Sequence, residues 1–305
     1  MLRRIGALGG VAAAALIVGA GTAGAQEETD LRPGPLTPGV LRVCADPDNM
    51  PESNQKGEGF ENKIAEYIAE KWNSRLEYVW WPVRFGYFGR GLNGGYCDLI
   101  VTAPAGLDIA ATTKPYFRST YFFVYRKDSG LNITSLDDPA LKRLRIGVNM
   151  IGSDGDAAPP AAALKSHGVV GLVGFPTFFS EIHRPEDIIN AVADKKIDLA
   201  IVWGPVAGYF AAKAPVPLVL HPIPDDSTTG IPFAFSITMA TRRKDREFRD
   251  SVQTLIDHDR PEIEAILQQY KVPMLPIPAD STTTRTGAIG DTTAAPGKSG
   301  HAGAF

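Results

Sequence analysis

Residues 41–66 of the chain have the sequence LRVCADPDNMPESNQKGEGFENKIAE. The first part, Leu41–Ala45, is a short apolar run of the kind that forms a buried parallel strand. The last part continues to residue 73 and repeats large apolar residues every four positions, which predicts one buried face of an α-helix. The residues of that face are Phe60, Ile64, Ile68 and Trp72. A strand that leads through a polar loop into a helix is typical of a parallel α/β unit.

Strand and helix patterns alternate through the rest of the chain and start again near residue 128. LEYVWWP, DLIVTA and STYFFVYRK follow as strands in the first series, and RIGVNM, VVGLVGF and IDLAIVW are the strands of the second. The alternation predicts an α/β fold with two lobes, each a mixed sheet with flanking helices, and a cleft between the lobes. The predicted lobes are residues 40–127 with 222–276, and residues 128–221.

Two short helices are predicted from their end signals. In GYFGRGLNGG the paired glycines Gly94 and Gly95 would end a short helix. In SLDDPALK, Ser135 would be the N-cap, with Asp138 three positions later.

The two ends of the chain have compositions that predict processing and disorder. Residues 1–25 combine two arginines, an apolar segment and a final AGA, which predicts a signal peptide cleaved after Ala25 and export to the periplasm. Residues 26–39 form a predicted flexible leader, and residues 277–305 a predicted disordered tail with few large apolar residues. The net charge of −3 does not favour nucleic acid as a partner, and no later stretch is long enough to span a membrane.

The chain has two cysteines, Cys44 and Cys97, which lie in or beside predicted strands. An oxidising compartment would favour a disulfide between them, whereas the alternative is two separate buried thiols.

The acids after the first strand could form a metal loop, a catalytic pair or the rim of a pocket. A calcium loop that starts at Asp46 would need glycine at position 51 and an acid at position 57, where the chain has Pro51 and Gly57. A rim or lining role for Asp46, Asn49, Glu52 and Asn54 is one interpretation, and a solvated loop in which Asp46 caps its own backbone is the other. The five histidines do not share a helix face at ligand spacing, so we predict no metal site, no catalytic pair and no cofactor.

Several segments, in this order, resemble the type II periplasmic solute-binding fold: LRVCADPDNMPESN, GFENKIAE, GGYCDLIVTA, TTKPYFRSTYFFV, RIGVNMIGS and KKIDLAIVWGPVAGYF. CADPDNMPESN, GFENKIAE, TKPYFRSTY and WGPVAGY are similar to the MoxJ/XoxJ branch of that fold. This branch is associated with periplasmic, PQQ-dependent quinoprotein methanol dehydrogenases. The resemblance implies an accessory protein that partners or assists such a dehydrogenase and is not itself an enzyme.

The sequence departs from the amino-acid receptors of the same fold at three places. Receptors carry an arginine shortly after the threonine of the third strand, but here Thr102 is followed by Ala-Gly-Leu at 105–107. Glu61 lacks the second acid that receptors place two residues later, and Ser153 is followed by two aspartates that would repel an anion.

Aromatic and basic residues complete the predicted cleft. Trp203 precedes a Gly-Pro pair at a strand end, which favours a position facing the cleft, and Tyr116 and Arg118 precede the crossing strand. The remaining candidates are Trp81, Arg84 and Tyr209. The alternatives to an accessory protein are a receptor of an ABC transporter for a small ligand that is not a standard amino acid, and, less favoured, a dehydratase that uses cleft carboxylates.

Overall fold

The computed structural model describes residues 36–83, 86–150, 158–176, 183–226 and 228–279. The predicted signal peptide, most of the leader, nearly all of the tail and two candidates, Arg84 and Ser153, lie outside the described residues. The helices are α1 Phe60–Lys71, α2 Pro159–Ser166, α3 Asp187–Ala193, α4 Gly204–Ala211, α5 Arg246–His258 and α6 Arg260–Gln269. The strands are β1 Val40–Ala45, β2 Asp48–Asn49, β3 Ser53–Asn54, β4 Arg75–Trp80, β5 Leu99–Pro104, β6 Ala110–Thr112, β7 Phe117–Arg126, β8 Ile146–Met150, β9 Leu172–Pro176, β10 Leu199–Trp203, β11 Leu218–Pro222 and β12 Ala234–Arg242.

Ten strands are joined by hydrogen bonds into one continuous sheet. Eight of them follow the order β4-β1-β5-β12-β7-β10-β8-β9, and the other two pair at the side, β6 with β12 and β11 with β7. Strand β1 is parallel to β4 and β5, and β8 is parallel to β9 and β10. Two parallel groups are therefore present, one from each series of the sequence. Strands β12 and β7 are antiparallel to their neighbours, so both groups belong to mixed sheets, as the alternation predicts.

The two sheets share strand β7. Residues 117–120 of β7 pair with β12, and residues 121–126 pair with β10 on one edge and β11 on the other. The chain thus leaves the first sheet between Thr120 and Tyr121, inside a strand. We use "first sheet" for β4, β1, β5, β12 and β6, and "second sheet" for β11, β10, β8 and β9, with β7 common to both. The lobe boundaries at residues 127 and 221 stay a prediction.

Helices cover the sheets with the faces that the patterns predict. Phe60, Ile64 and Ile68 of α1 are fully buried and share a core with β1, β5, α5 and α6. In the second sheet, Phe123 of β7 packs on the side of α2, and its neighbour Phe122 packs on the side of α3 and α4. Both faces of β7 are covered here, which explains why its sequence is a nearly continuous apolar run instead of an alternating one.

Two local predictions need correction. The turn that starts the SLDDPALK helix has Asp138 as its N-cap, because the Asp138 carboxylate accepts from the Ala140 N–H at 2.8 Å. Ser135 instead accepts from the Asp137 N–H in the preceding turn. The helix in GYFGRGLNGG is present over Tyr87–Leu92 and the glycines close it, since Gly95 has a φ of 83° and donates its N–H to the Leu92 carbonyl, but the helix is of the π type.

Cys44 and Cys97 form a disulfide, with 5.5 Å between their Cα atoms. The bridge joins the end of β1 to the residues that lead into β5, its neighbour in the first sheet. No helix in the described ranges is both long enough and apolar enough to cross a membrane.

Candidate functional site

The loop that follows β1 is folded tightly against the start of α1. Strands β2 and β3 pair as a two-residue hairpin, and the N–H groups of Phe60 and Glu61 donate to the carbonyls of Pro51 and Glu52, both at 2.8 Å. Gly59 is required at this contact, because a Cβ atom there would lie 2.1 Å from the Glu52 carbonyl oxygen. The acids of the loop are therefore held at fixed and separate positions.

Asp46 serves the backbone of this loop. One carboxylate oxygen accepts from the Asp48 N–H at 3.0 Å, and the other accepts from the Val83 N–H at 2.7 Å. The second bond ties the loop after β1 to the residues after β4. This geometry agrees with the interpretation of Asp46 as a backbone cap.

Glu52 and Glu61 are the two acids of the loop region that are enclosed, with 8% and 6% of their surface exposed. Burial raises the pKa of Glu52 to about 8, and the charge of Glu61 adds to that shift. Burial also raises the pKa of Glu61 to about 7, although hydrogen bonds from Thr102 and Ser53 act in the opposite direction. The raised pKa values of both side chains therefore favour the neutral, protonated form relative to an exposed glutamate.

Thr102 lies at the end of β5 and donates its hydroxyl hydrogen to the Glu61 carboxylate. Tyr116 is also buried, and its hydroxyl donates to the Val101 carbonyl at 3.0 Å. Burial raises the pKa of Tyr116 well above its usual value. The structure thus brings Glu61, Thr102 and Glu52 together at the carboxyl ends of β1 and β5, and Tyr116 packs below them in the core.

Asn62 is a member of this group that the sequence analysis missed. It is fully buried, and its side-chain oxygen accepts from the N–H groups of Asn54 and Gly59 at 3.1 and 3.0 Å. Within the described residues, the Asn62 Nδ2 and Glu52 Oε2 atoms are buried without a hydrogen-bond partner. The position of Asn62 three residues after the N-cap Gly59 was the available signal, since side chains at that position often bond back to the N-cap.

Asn49 and Asn54 lie in the small hairpin of β2 and β3. The hydrogen bonds of the Asn54 side chain go to Glu58 and not to the enclosed carboxyls. Asn54 donates to the Glu58 carboxylate at 2.8 Å, and its own side-chain oxygen accepts from the Glu58 N–H at 2.9 Å. Trp81 makes an edge contact with Tyr96, at 5.8 Å between ring centroids.

A second group of candidates lies where helix α4 meets the shared strand. Trp203 precedes α4, and its ring makes edge contacts with Tyr121 and Phe235 at 5.4 and 5.9 Å. Tyr209 stacks on Tyr270, with ring centroids 5.7 Å apart and planes 18° from parallel. The Lys213 ammonium group lies 3.7 Å from the centre of the Tyr209 ring, a cation–π contact.

Arg118 lines a depression of about 350 Å³ beside the shared strand, together with Thr120, His221 and Leu275. The Arg118 carbonyl accepts from the Leu275 N–H at 2.8 Å, so the segment after α6 runs along β7 at this point. In the described part of the chain, no cluster of three or more histidines, cysteines or acids could hold a metal ion.

Comparison with known proteins gives three informative matches, although no family model matches the sequence. Protein MoxJ of Methylorubrum extorquens AM1 is 30% identical over 249 residues, which is 78% of this chain and 83% of that protein. The crystal structure of the periplasmic binding protein XoxJ from Methylobacterium extorquens AM1 is 34% identical with a TM-score of 0.64, over 78% of this chain and all of that one. The crystal structure of MxaJ from Methlophaga aminisulfidivorans MPT is 28% identical with a TM-score of 0.68, over 77% of this chain and all of that one. Solved amino-acid-binding proteins at 18–19% identity share the fold.

Proposed function

The chain belongs to the MoxJ family, and from that premise we propose that it is a non-enzymatic periplasmic accessory protein of a PQQ-dependent methanol dehydrogenase. In this proposal the protein binds or assists the quinoprotein and does not deliver a solute to a transporter. The family relationship supports a place in methanol oxidation. The side chains at the carboxyl ends of β1 and β5 support a role other than solute binding.

One observation carries the proposal: the side chains at the place where an amino-acid receptor would hold its ligand are not suited to bind a carboxylate. Buried Ala105 follows β5 in place of an arginine, and the enclosed Glu52 and Glu61 have raised pKa values. Two enclosed carboxyls without an adjacent arginine do not form a receptor for the carboxylate of an amino acid. A binding-protein scaffold without that receptor chemistry is suited to a protein partner.

The partner would contact the residues at the rim of the cleft. We assign this role to half-buried candidates outside the group around Glu52 and Glu61. The enclosed Glu52, Glu61 and Tyr116, and the half-buried Asp46 and Thr102 beside them, are assigned to support of the rim. The proposed rim residues are Asn49, Asn54, Trp81, Arg118, Trp203 and Tyr209, and Arg84 and Ser153, which lie outside the described residues, are rim candidates from the sequence alone. The proposed supporting residues are Asp46, Glu52, Glu61, Thr102 and Tyr116.

The test is capture of the dehydrogenase by the mature chain, from Gln26 onward, immobilised and exposed to periplasmic extract. Mass spectrometry should identify a quinoprotein dehydrogenase, and Arg118→Ala and Trp203→Ala should reduce its recovery. Arg143→Ala is the matched control, because Arg143 is exposed on a short turn that contributes none of the proposed rim residues. Equal recovery by all variants, or failure to recover a quinoprotein, would contradict the proposed role of the rim.

A receptor for a small ligand is the second candidate, and the depression beside Arg118 favours it. A volume of about 350 Å³ with Arg118, His221 and Asp225 in its wall could hold a small polar ligand. If the protein were a receptor, a small molecule extracted from the purified protein would raise Tm in proportion to the logarithm of its concentration, and Arg118→Ala would abolish the shift.

Catalysis by the enclosed carboxyls is the least favoured candidate. Glu52 and Glu61 have the raised pKa values that an acid–base site needs. However, both side chains are more than nine-tenths buried, and Glu61 is occupied by the Thr102 hydroxyl, so a substrate could not reach them without opening the loop.

A further inference from the structure

The second sheet ends in strand β9, whose outer edge has no partner among the described strands. The Ile146 N–H donates to the Gly171 carbonyl at 2.8 Å. This bond fixes which residues of β9 direct their backbone groups toward β8. In this register the N–H and C=O groups of Val173 and Phe175 point toward β8, and those of Leu172 and Gly174 point away from it. Edge strands in native proteins are usually protected by charged residues, whereas this edge carries Val173, with 38% of its surface exposed, and a glycine.

A groove runs between this edge and helix α3. One depression of about 570 Å³ is lined by apolar Val173, Phe175 and Ile197, with Asp187, Asp194 and Lys196 on its wall. A second depression of about 170 Å³ shares Phe175 and Asp187 with the first and continues to Pro176. The two depressions therefore lie side by side between β9 and α3, and together we call them the β9–α3 groove.

We propose that the β9–α3 groove binds an extended segment of a partner protein as an added strand. The N–H and C=O groups of Leu172 and Gly174, which have no backbone partner among the described residues, select an extended backbone. Val173 and Phe175 select apolar side chains on the inner face of that segment. The charged residues that line the groove are balanced, with Asp187 and Asp194 against Arg184 and Lys196, so selection rests on the backbone groups and the apolar side chains. The groove shares no residue with the rim assigned to the dehydrogenase, so this inference does not depend on the proposed function.

A second copy of the chain fits the groove less well than a peptide segment. Pairing of two β9 strands would match only five residues on each side, whereas a stable dimer usually buries about 1,200 Å² or more. A folded copy would also need to enter a groove that α3 borders along its length. A single extended segment meets neither obstacle.

The test uses a labelled hexapeptide in which valine and threonine alternate between two terminal lysines, measured by fluorescence anisotropy with the mature chain from Gln26 onward. The control peptide has the same sequence with methylated backbone nitrogens at the central positions. We expect saturable binding of the first peptide and about tenfold or more weaker binding of the second, because methylation removes the backbone donors.

The protein variants locate the binding to the groove. Val173→Lys places a charge in the groove and should weaken binding by about tenfold or more. Val170→Lys is the matched control, because Val170 is 87% exposed and precedes β9 without lining the groove, and it should leave binding unchanged. Circular dichroism would verify that both variants are folded.

Three results would overturn the proposal. The first is no saturable binding of the hexapeptide by the wild type at millimolar concentration. The second is binding that survives backbone methylation, or that Val173→Lys and Val170→Lys reduce equally. The third is a concentration-dependent dimer in sedimentation experiments that Val173→Lys dissolves, since the occupant would then be a second copy.

Discussion

At the scale of single residues, Glu52 and Glu61 differ from the other acids of their loop because they lie where water cannot solvate a charge. A buried carboxyl group favours its protonated form, so its pKa rises, and folding then becomes linked to proton uptake. Asp46, in the same loop, is bonded to two backbone N–H groups. Acidic residues of one loop region therefore have two different roles, and the location of each side chain decides which role it has.

The raised pKa values predict that stability falls as pH rises. The folded state holds protons on Glu52 and Glu61 up to about pH 8 and 7, whereas the unfolded chain loses them near the ordinary glutamate pKa of 4.5. Stabilisation is therefore greatest below about pH 4.5, declines between 4.5 and 8, and is lost above both folded pKa values. We expect Tm to fall by several degrees from pH 5 to pH 9, since about 1 kcal/mol moves Tm by about 2–4 °C at this size.

Calorimetry of variants would assign this slope to the two residues. Glu52→Gln keeps the size and neutral state of the protonated side chain, so it should flatten the decline and raise Tm at pH 9 relative to wild type. Glu70→Gln, at an exposed position on α1, is the control and should keep the wild-type slope. A Glu52→Gln profile parallel to that of wild type would show that these carboxyls do not hold the protons.

The sequence analysis selected Glu52, Glu61 and Thr102 but could not separate enclosed from exposed members of the candidate set. Burial of Glu52 depends on the contact of its own carbonyl with the Glu61 N–H, which is a tertiary feature of the loop. Asn62 was missed because a polar residue in the first turn of a helix is ordinary in sequence. Its importance follows from two backbone donors that reach it from the preceding hairpin.

At the scale of elements, apolar runs predicted the central strands well because strands covered on both faces need no polar alternation. The hairpin of β2 and β3 could not be predicted, since each strand has only two residues. The continuous sheet also could not be predicted. It depends on β7 changing partners between Thr120 and Tyr121, and strand composition does not encode a choice of partner.

The disulfide should be a major source of stability for the first sheet. It closes a loop over a sequence separation of 53, and chain-entropy arguments assign a loop of this size about 4 kcal/mol. Urea denaturation of a Cys44→Ala and Cys97→Ala double variant should therefore show a loss of about 2–4 kcal/mol. A reductant should destabilise the wild type by a similar amount and leave the double variant unchanged. Equal urea midpoints for the wild type and the double variant would contradict this expectation.

Helix α4 should tolerate no side chain at Gly208. A Cβ atom there would lie 2.0 Å from the Lys271 carbonyl oxygen and 3.0 Å from Pro273, so alanine must push α4 away from the segment after α6. Overpacking of this kind costs about 1–3 kcal/mol, which should lower Tm by several degrees. Gly89→Ala is the control, because no atom lies within 4 Å of a Cβ at that position. If the two variants had the same Tm, the close approach would not be structurally important.

At the scale of the whole molecule, the shared strand and the segment after α6 link the two sheets. Helix α4 packs on the second sheet, and Tyr270 packs on the core of the first. Contacts between these parts include the Tyr209–Tyr270 stack, the edge contact of Trp203 with Phe235, and the Ser119 hydroxyl that donates to the Pro273 carbonyl at 2.7 Å. An accessory protein that admits a partner between its lobes would have to break or bend this connection.

The Tyr209–Tyr270 stack should therefore limit the movement of one sheet relative to the other. The separation of the two sheets can be measured between spin labels on cysteines introduced at the exposed Glu70 of α1 and Lys165 of α2. The native cysteines would not take up label because they form a disulfide. Tyr209→Ala should broaden the distance distribution measured by pulsed electron paramagnetic resonance. An aromatic pair contributes about 0.5–1.5 kcal/mol beyond its buried area, and loss of that energy would allow the sheets to move more relative to each other. Tyr96→Ala is the control, since it removes the aromatic contact with Trp81, which forms outside the connection between the sheets. If the distributions of wild type, Tyr209→Ala and Tyr96→Ala superimpose, the stack does not limit the movement, and β7 with the remaining contacts fixes the arrangement of the two sheets.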